Sequence, residues 1–193
     1  MAKILTTNPP EMGDSLRLPT APCRMDEVPA EDINSAITLC GNDHGIASRQ
    51  IEGIPSNGLS WFVINLDSFG SAEEANIQLL KEEMKKSPDF TLVMSDESSR
   101  KGARHGYAVL VNPIVAPHGQ KFTAKEGCTS IVGPNGKPKL HKVKRRKSVG
   151  LTMRGEDGKP LCHVTLTGGI IVQTFQHEAD HLKGRLIDGK PSR

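Results

Sequence analysis

Residues 173–188 of the chain read QTFQHEADHLKGRLID and contain its most informative pattern. His177 and His181 are four residues apart, so on a helix they lie one turn apart on the same face, close enough to bind a single metal ion. Glu178 lies beside that position, where a carboxylate can take a proton from a metal-bound water. The pattern therefore indicates a hydrolytic metal centre. Taken alone, it leaves a second interpretation open, in which both histidines are solvated or capping side chains of an exposed helix end.

The residues around this pattern predict an amphipathic helix from about residue 169 to residue 183. Ile170 and Thr174 continue the face that carries the two histidines, and a separate apolar stripe beside it would pack on a core. Gly184 follows the predicted end, where a residue in the left-handed conformation commonly closes a helix. One face is therefore expected to pack and the other to carry the chemistry. The apolar stripe consists of Ile171, Phe175, Ala179 and Leu182.

Length and composition favour a single domain over residues 1–193, because 193 residues can bury a sizeable core. Lys and Arg exceed Asp and Glu by 25 to 22, an excess that does not by itself indicate nucleic acid. The four cysteines form no close pair, which argues against a disulfide framework and a zinc knuckle. No segment has the apolar core of a signal peptide or the length of a membrane span. We therefore expect a cytoplasmic protein without membrane contact, and take it to be a monomer.

Two apolar runs predict neighbouring strands of the core. Residues 61–67 read WFVINLD and residues 107–113 read YAVLVNP, and both are rich in β-branched and aromatic side chains. Residues 148–169 predict a hairpin, with a Glu-Asp-Gly-Lys turn between two alternating strands. Ahead of these strands, residues 29–40 predict a short helix that ends near Gly41. Strands and helices are thus both expected, and an α+β fold class follows.

The segment between the two core strands, at about 68–105, is predicted to be an insertion without a catalytic residue. Within it, residues 71–86 predict an amphipathic helix in which Ser71 and Glu74 form a capping box. The loop at 95–106 is polar and contains glycine, so we expect it to be mobile. The side chains predicted to pack are Ala75, Leu79, Leu80 and Met84.

A hydrolytic metal site needs a third protein ligand besides the two histidines, together with an open position. Some peptidases with the His-Glu-x-x-His pattern take this ligand from downstream, but the residue at that spacing here is Ile187, which cannot bind a metal. Asp188 is the remaining downstream candidate. The third ligand is therefore expected upstream, and Cys128 is the best choice, since it follows Glu126 in a glycine-containing turn. A lone cysteine can also be a small buried apolar side chain.

Three blocks of the sequence, in this order, resemble the signature motifs of peptide deformylases. They are HGIASRQ (44–50), EGCTS (126–130) and QHEADH (176–181). The family motifs are a Gly-x-Gly-Leu-Ala-Ala-x-Gln loop, Glu-Gly-Cys-Leu-Ser and Gln-His-Glu-x-Asp-His. The resemblance extends over most of the chain outside residues 68–105. It implies an α+β fold with mixed, mostly antiparallel sheets around a central metal-binding helix.

By this resemblance, the chain would remove the N-formyl group from the N-terminal formylmethionine of newly made polypeptides and release formate. Cys128, His177 and His181 would bind one divalent ion, with Fe²⁺ the usual native metal of the family and Zn²⁺ or Ni²⁺ common replacements. Glu178 would be the proton acceptor for the attacking water.

The resemblance also assigns supporting roles. The side-chain amide of Gln50 and the backbone N–H of Thr129 would stabilise the developing oxyanion. Arg145 and Asp180 would form an ion pair next to the metal ligands. Gly45 would leave room for the substrate backbone, which binds in this family like an added strand.

The pocket positions depart from the family pattern. His44 stands where an aliphatic residue is common. Gln173 and Thr174 precede the first histidine by one turn and, with Ile170, would line the pocket for the methionine side chain. Because burying Gln173 without hydrogen-bond partners is costly, this pocket is expected to be wetter than usual or to suit a side chain other than methionine.

Residues 141–147 read HKVKRRK and carry most of the net positive charge. Such a run is typical of a solvated edge strand that resists aggregation. It can also contact a polyanion such as ribosomal RNA. A ribosome contact through 141–147 would replace the long C-terminal helix that many deformylases use, which this sequence lacks.

Two other functions compete with deformylation. One is a metallopeptidase built on the same helix, which Ile187 and the missing downstream ligand disfavour. The other is a catalytically silent, deformylase-like module that binds peptides. Glu178 and Gln50 argue against the silent module, because a binding protein needs no general base.

Overall fold

The computed structural model describes residues 2–7, 14–94, 105–133, 135, 137–154 and 159–189. The helices are α1 (Ala30–Cys40), α2 (Glu74–Met84) and α3 (Gly169–Leu182). The strands are β1 (Lys3–Ile4), β2 (Gly45–Ala47), β3 (Ile51–Glu52), β4 (Trp61–Asn65), β5 (Phe90–Val93), β6 (Tyr107–Val111), β7 (Ile114–Glu126), β8 (His141–Arg154) and β9 (Pro160–Thr167). No helix among these residues is long and apolar enough to cross a membrane.

The strands form three antiparallel sheets. Their orders are β1-β3, β2-β4-β6-β5 and β7-β8-β9. The two apolar runs pair as predicted, from Trp61 opposite Val111 to Asn65 opposite Tyr107. Every residue of β4 and β6 is buried, which explains why these strands are apolar without alternation. The predicted α+β class, with antiparallel sheets about a central helix, is confirmed.

Helix α3 lies at the centre, between the four-stranded sheet and the three-stranded sheet. Its predicted apolar stripe is buried in the same core cluster as side chains of both sheets. Phe175 meets Phe62 of β4 edge-on, with ring centroids 5.8 Å apart. Gly184 closes the helix with φ 66°, and a Cβ there would lie 2.3 Å from the backbone oxygen of Arg17. The position thus admits only glycine.

Helix α2 packs differently from the prediction. A 3₁₀ turn occupies Ser71–Glu73 and α2 begins at Glu74, so the predicted capping box does not form. Ala75 is exposed and Leu79 is 40% exposed, so these two residues were wrongly assigned to the packing face. The buried face begins with Glu73, the residue before α2. The apolar side chains on it are Ile77, Leu80 and Met84.

The segment predicted to be an insertion is built into the fold. Strand β5 pairs with β6 at the edge of the four-stranded sheet, and α2 packs on β9. Its status as an insertion stays a prediction, and the loop at 95–104 lies outside the described residues. The hairpin predicted at 148–169 is confirmed as the pair β8 and β9, while most of its turn, at 155–158, also lies outside them.

Strand β8 carries the basic run in its first half. Residues 141–146 pair only with β7, because β9 joins the sheet from Ser148 onward. The predicted open strand edge is therefore present on one side. Arg145 departs from the prediction of a solvated strand, since it is only 5% exposed.

Candidate metal centre

The side chains of Cys128, His177 and His181 converge at the centre of the fold. Their ligand atoms all lie within 4.8 Å of one another. Cys128 Sγ is 3.3 Å from His181 Nε2, and the Nε2 atoms of the two histidines are 3.1 Å apart. Metal bonds of about 2.0–2.3 Å place neighbouring donors of a tetrahedral site roughly 3.3–3.8 Å apart. The three side chains thus offer donor atoms close enough together that they could hold one ion.

The downstream alternative for the third ligand is excluded by geometry. Asp188 forms an ion pair with Arg17, with 2.5 Å between its Oδ2 and the guanidinium. Both side chains are about nine-tenths buried, so this carboxylate belongs to a contact with the N-terminal segment. Cys128, two residues after the end of β7, is the residue that reaches the histidines.

A buried ionic network holds the histidine end of α3. Arg145 donates two hydrogen bonds to Glu126, at 2.8 and 2.7 Å, and a third to Asp180 at 2.5 Å. The predicted ion pair between Arg145 and Asp180 is therefore confirmed. The central role of Glu126 was not predicted. Glu126 also contacts His177 Nδ1 at 3.0 Å, which turns Nε2 of that ring toward the other donors.

The network shifts the pKa values of neighbouring side chains in opposite directions. Burial acts to raise the pKa of Glu126, but hydrogen bonds from Arg145 and His177 outweigh it and lower the pKa to about 2. Burial acts to lower the pKa of His177, yet Cys128 and Glu126 raise it well above the usual value. For His181, burial and then the charge of His177 lower the pKa far below the ordinary range. This direction favours the neutral imidazole, which is the form that binds metals.

Gln176 fixes the middle of α3 against β8. Its side-chain amide donates to the backbone oxygen of Arg146 at 2.9 Å and accepts from the Arg146 N–H at 3.0 Å. This pair of bonds satisfies the open edge of β8 in the way that a neighbouring strand would. The histidines one residue and five residues later are thereby held in register with Cys128.

Glu178 lies beside the three donors and is 3% exposed. Burial raises the pKa of its carboxyl group to about 7. Its Oε2 atom, like Nδ1 of His181, is buried without a hydrogen-bond partner among the described residues. The unpaired Glu178 oxygen beside the converging donor set is consistent with a bound water or substrate there, whereas His181 Nδ1 lies on the ring side opposite the donor atom Nε2.

Gly45 makes room for Glu178. A Cβ at this position would lie 3.1 Å from both Cγ and Oε1 of Glu178, and 3.0 Å from Cδ1 of Ile64. The sequence suggested that this glycine accommodates substrate backbone. That role stays a prediction. The closest groups in the structure are the side chains of Ile64 and Glu178, so a larger residue would displace one or both of them.

Gln50 is buried next to the thiol of Cys128. Its Oε1 accepts from the backbone N–H of Ala47 at 2.8 Å, which fixes the orientation of the amide. Its Nε2 donates to Ser130 Oγ at 3.1 Å and contacts Cys128 Sγ at 3.6 Å. The amide N–H groups therefore face the donor set, and the amide of Gln50 also borders the cavity described next.

A cavity of about 420 Å³ opens over Glu178 and His177. Its wall contains every residue that the sequence assigned to substrate binding or to the oxyanion, which are His44, Gly45, Gln50, Thr129, Ile170, Gln173 and Thr174. Two polar groups of the wall bond back to their own helix, Thr174 Oγ1 to Ile170 O at 3.0 Å and Gln173 Nε2 to Gly169 O at 3.4 Å. His44 stacks on Phe69 and contacts Ser68. The wall thus contains the polar side chains of Gln173 and Thr174, while a pocket wetter than usual stays a prediction.

The chain is similar to one known family over more than half of its length. The family model described as Polypeptide deformylase matches residues 70–190, which include the second and third sequence blocks. A peptide deformylase of Syntrophobacter fumaroxidans is 40% identical over 90 residues, covering 46% of this chain and 48% of the relative. One from Desulfosudis oleivorans is 35% identical over 104 residues, covering 53% and 55%. The matched region thus spans about half the length of these curated relatives.

Solved structures agree in fold over nearly the whole chain. A probable peptide deformylase from Synechococcus phage S-SSM7 superposes with a TM-score of 0.59 and 22% identity, covering 97% of this chain and 98% of that one. The peptide deformylase from Thermotoga maritima gives a TM-score of 0.57 with 21% identity, covering 100% and 99%. At these identities the similarity establishes the fold.

Proposed function

The chain belongs to the polypeptide deformylase family, and on this basis we propose that it is a metal-dependent hydrolase that removes the formyl group from N-terminal formylmethionine. One observation carries the proposal. The thiol of Cys128 and the two imidazoles converge within 4.8 Å, directly beside a buried carboxylate that has an unpaired oxygen. This arrangement is what hydrolysis of an unactivated amide requires, namely an electrophilic centre with a base next to it.

Peptide deformylases use a single metal ion, and Cys128, His177 and His181 are the residues that would hold it here. We propose Fe²⁺ as the native ion, with Zn²⁺ or Ni²⁺ as replacements, because thiolate and imidazole donors suit these metals. Bound there, the ion would supply Lewis acidity, which lowers the pKa of water and polarises a carbonyl group. Glu126 supports the site by keeping His177 Nε2 directed at it.

The protein groups then perform the proton transfers. Glu178 accepts a proton from water as the water oxygen adds to the formyl carbon. The carbon–nitrogen bond breaks, Glu178 returns the proton to the leaving amine nitrogen, and formate departs. The amide of Gln50 and the backbone N–H of Thr129 donate to the oxygen on which negative charge develops. The Gln50 amide would act strongly because it is only 2% exposed, where the effective dielectric constant is low.

The substrate would enter along β2. This strand lies at the edge of the four-stranded sheet and contains Gly45 in the cavity wall. An extended peptide can pair with such an edge, which aligns its first residue with the cavity. Ile170, Gln173 and Thr174 would then surround the first side chain, with His44 on the other side of the cleft.

Formate release is the test of this function. Fe²⁺-loaded protein, prepared without oxygen, is expected to release formate from formyl-Met-Ala-Ser, and the Glu178→Ala variant is expected to release almost none. Equal activity in the variant would exclude Glu178 as the base. Cleavage of an internal peptide bond would indicate a metallopeptidase, and binding without any turnover would indicate a silent module.

The basic run at 141–147 suggests a second binding partner. Lys142, Lys144 and Arg146 project from one face of β8, and the register sets Lys142 opposite Lys125 and Arg146 opposite Lys121 of β7. Like charges directly opposite one another destabilise a sheet unless an anion neutralises them. Among the described residues none of these five cations forms a salt bridge. We propose that this face contacts ribosomal RNA, close to the cavity that Lys125 lines.

Ribosome co-sedimentation tests this contact. Charge reversal at Lys142 and Lys144 is expected to reduce co-sedimentation at least about tenfold at low salt, since each phosphate contact adds to the salt-dependent affinity. The same reversal at Lys85 and Lys86 of the α2 end provides the matched control. Unchanged co-sedimentation in the first variant would remove the proposal.

A further inference from the structure

Helix α3 begins without a cap of its own. The residue before it, Gly168, has no side chain, and no side-chain capping bond arises from it. The first N–H groups of a helix need acceptors from elsewhere. Glu73 supplies one, because its Oε1 accepts from the backbone N–H of Ile170 at 2.5 Å across a separation of 97 residues. The carboxylate is in the position that an N-cap side chain normally occupies, and its charge favours the positive end of the helix.

Asn76 strengthens the same contact. Its Oδ1 accepts from the backbone N–H of Thr167, and its Nδ2 donates to the oxygen of that residue, both at 3.3 Å. Nδ2 also donates to Glu73 Oε2 at 3.1 Å, so both carboxylate oxygens are engaged. We call Glu73 and Asn76 the pocket clamp, because together they hold residues 167–170.

Gly169 shows how closely the clamp approaches. A Cβ on this residue would overlap the carboxylate of Glu73, 2.3 Å from its Cδ. Its φ of 73° is also a conformation that other residues avoid. Glycine at position 169 thus leaves room for the Glu73 carboxylate, which comes from the 71–84 segment. Glu73 is 7% exposed, so it is a buried charge with a defined function in the fold.

The clamp holds the wall of the cavity and leaves the metal donors to other residues. Ile170 and Thr174 line the cavity one turn apart, and the backbone oxygen of Ile170 accepts from the Thr174 hydroxyl. The donor end of α3, at His177 and His181, is fixed separately by Glu126. A change at the clamp therefore shifts the first turn of the helix relative to a stationary metal centre.

We infer that Glu73, with Asn76 as its support, is a positioning residue that sets the pocket for the first side chain of the substrate and so determines selectivity for it. The inference rests on the proposed function, because it assigns that pocket to the residue carrying the formyl group. It places a specificity determinant in the 71–84 segment, outside all three sequence blocks.

Steady-state kinetics on formyl peptides that differ only in the first side chain test the inference. For Glu73→Ala we expect KM for formyl-Met-Ala-Ser to rise about tenfold and kcat to stay within about twofold. The preference for formyl-Met over formyl-Ala peptides should fall by a similar factor. Glu73→Gln keeps an oxygen acceptor for the Ile170 N–H and should restore most of the preference. Glu82→Gln, an exposed carboxylate of α2 in the same chemical exchange, should match the wild type.

Each outcome decides the matter. An unchanged preference in Glu73→Ala, or a loss confined to kcat, would overturn the inference. If Glu73→Ala does not fold, Asn76→Ala and Glu73→Gln carry the test. A preference equal to that of the wild type in both variants would reject the clamp. Calorimetric binding of the product peptide Met-Ala-Ser gives a readout without turnover. Wild-type protein that binds this peptide but releases no formate would reject the proposed function, while a weaker affinity in the clamp variants would still support the clamp.

Discussion

The two ends of α3 are held in contrasting ways. The histidine end contacts a buried network in which Arg145 pairs with Glu126 and Asp180, and Glu126 also contacts His177. The first turn is held by a single carboxylate and an amide, and Ile170 there remains 50% exposed. The bidentate pair between Arg145 and Glu126 is stronger and more directional than the single bond from the Ile170 N–H to the Glu73 carboxylate. We therefore expect the proposed catalytic groups to stay fixed while the pocket end changes with sequence, so that chemistry and selectivity are separable.

Removal of a metal donor should have the largest effect. Cys128→Ala is expected to lose both bound metal and detectable formate release, because two imidazoles alone hold a divalent ion weakly. Elemental analysis of the purified variant measures the metal directly. Cys162→Ala, also a buried cysteine but within the apolar core, is the control and should keep one ion per chain. Full metal occupancy in Cys128→Ala would show that the sulfur is not a ligand.

Removal of the base should rank second. Glu178→Gln keeps the shape of the side chain and the metal, so its kcat is expected to fall by about 10²–10⁴, the usual contribution of general acid–base catalysis. Formate release and metal content are measured on the same preparation. A variant that retains both would contradict the assignment of Glu178.

Disruption of the ionic network should lower stability next. Arg145→Met leaves Glu126 buried without its main partner, so the free energy of unfolding is expected to fall by about 3 kcal/mol. Urea denaturation measures it. Arg146→Met on the neighbouring residue, whose guanidinium donates to the backbone oxygen of Gly119, should change stability by less than about 1 kcal/mol. An equal loss of unfolding free energy in the two variants would show that the ionic network does not stabilise the fold.

Changes at the pocket end should have the smallest effect. Gln173→Leu makes the wall more apolar, so preference for methionine over a polar first residue is expected to rise about threefold to tenfold, with kcat nearly constant. Thr174→Val keeps the shape of its side chain and loses one hydroxyl, and it should shift the preference less. A large fall in kcat in either variant would mean that the pocket end and the donor end are not independent.

The features that could be predicted from the sequence depend on neighbouring residues or on a periodic pattern. The spacing of four between His177 and His181 fixes their common face, and the apolar stripe of α3 follows from the same period. Cys128 could be nominated from chemistry, but only the resemblance to a family separated it from an ordinary buried cysteine. Strands β4 and β6 were recognisable because both are continuous apolar runs.

Contacts between distant segments could not be predicted. The cap of α3 comes from Glu73, 97 residues earlier, and no local pattern marks a glutamate as the cap of another helix. The face of α2 was misassigned for a related reason. Its buried face follows Ile77, Leu80 and Met84, which pack on distant strands, and leaves Ala75 and Leu79 exposed. The second role of Glu126, as partner of both Arg145 and His177, likewise depends on how β7, β8 and α3 pack.

X-ray absorption at the metal edge of the purified holoprotein tests the central claim most directly. We expect one sulfur at about 2.3 Å and two imidazole nitrogens at about 2.0–2.1 Å from a single ion. A spectrum without sulfur scattering would contradict the account, because Cys128 would then lie outside the metal site.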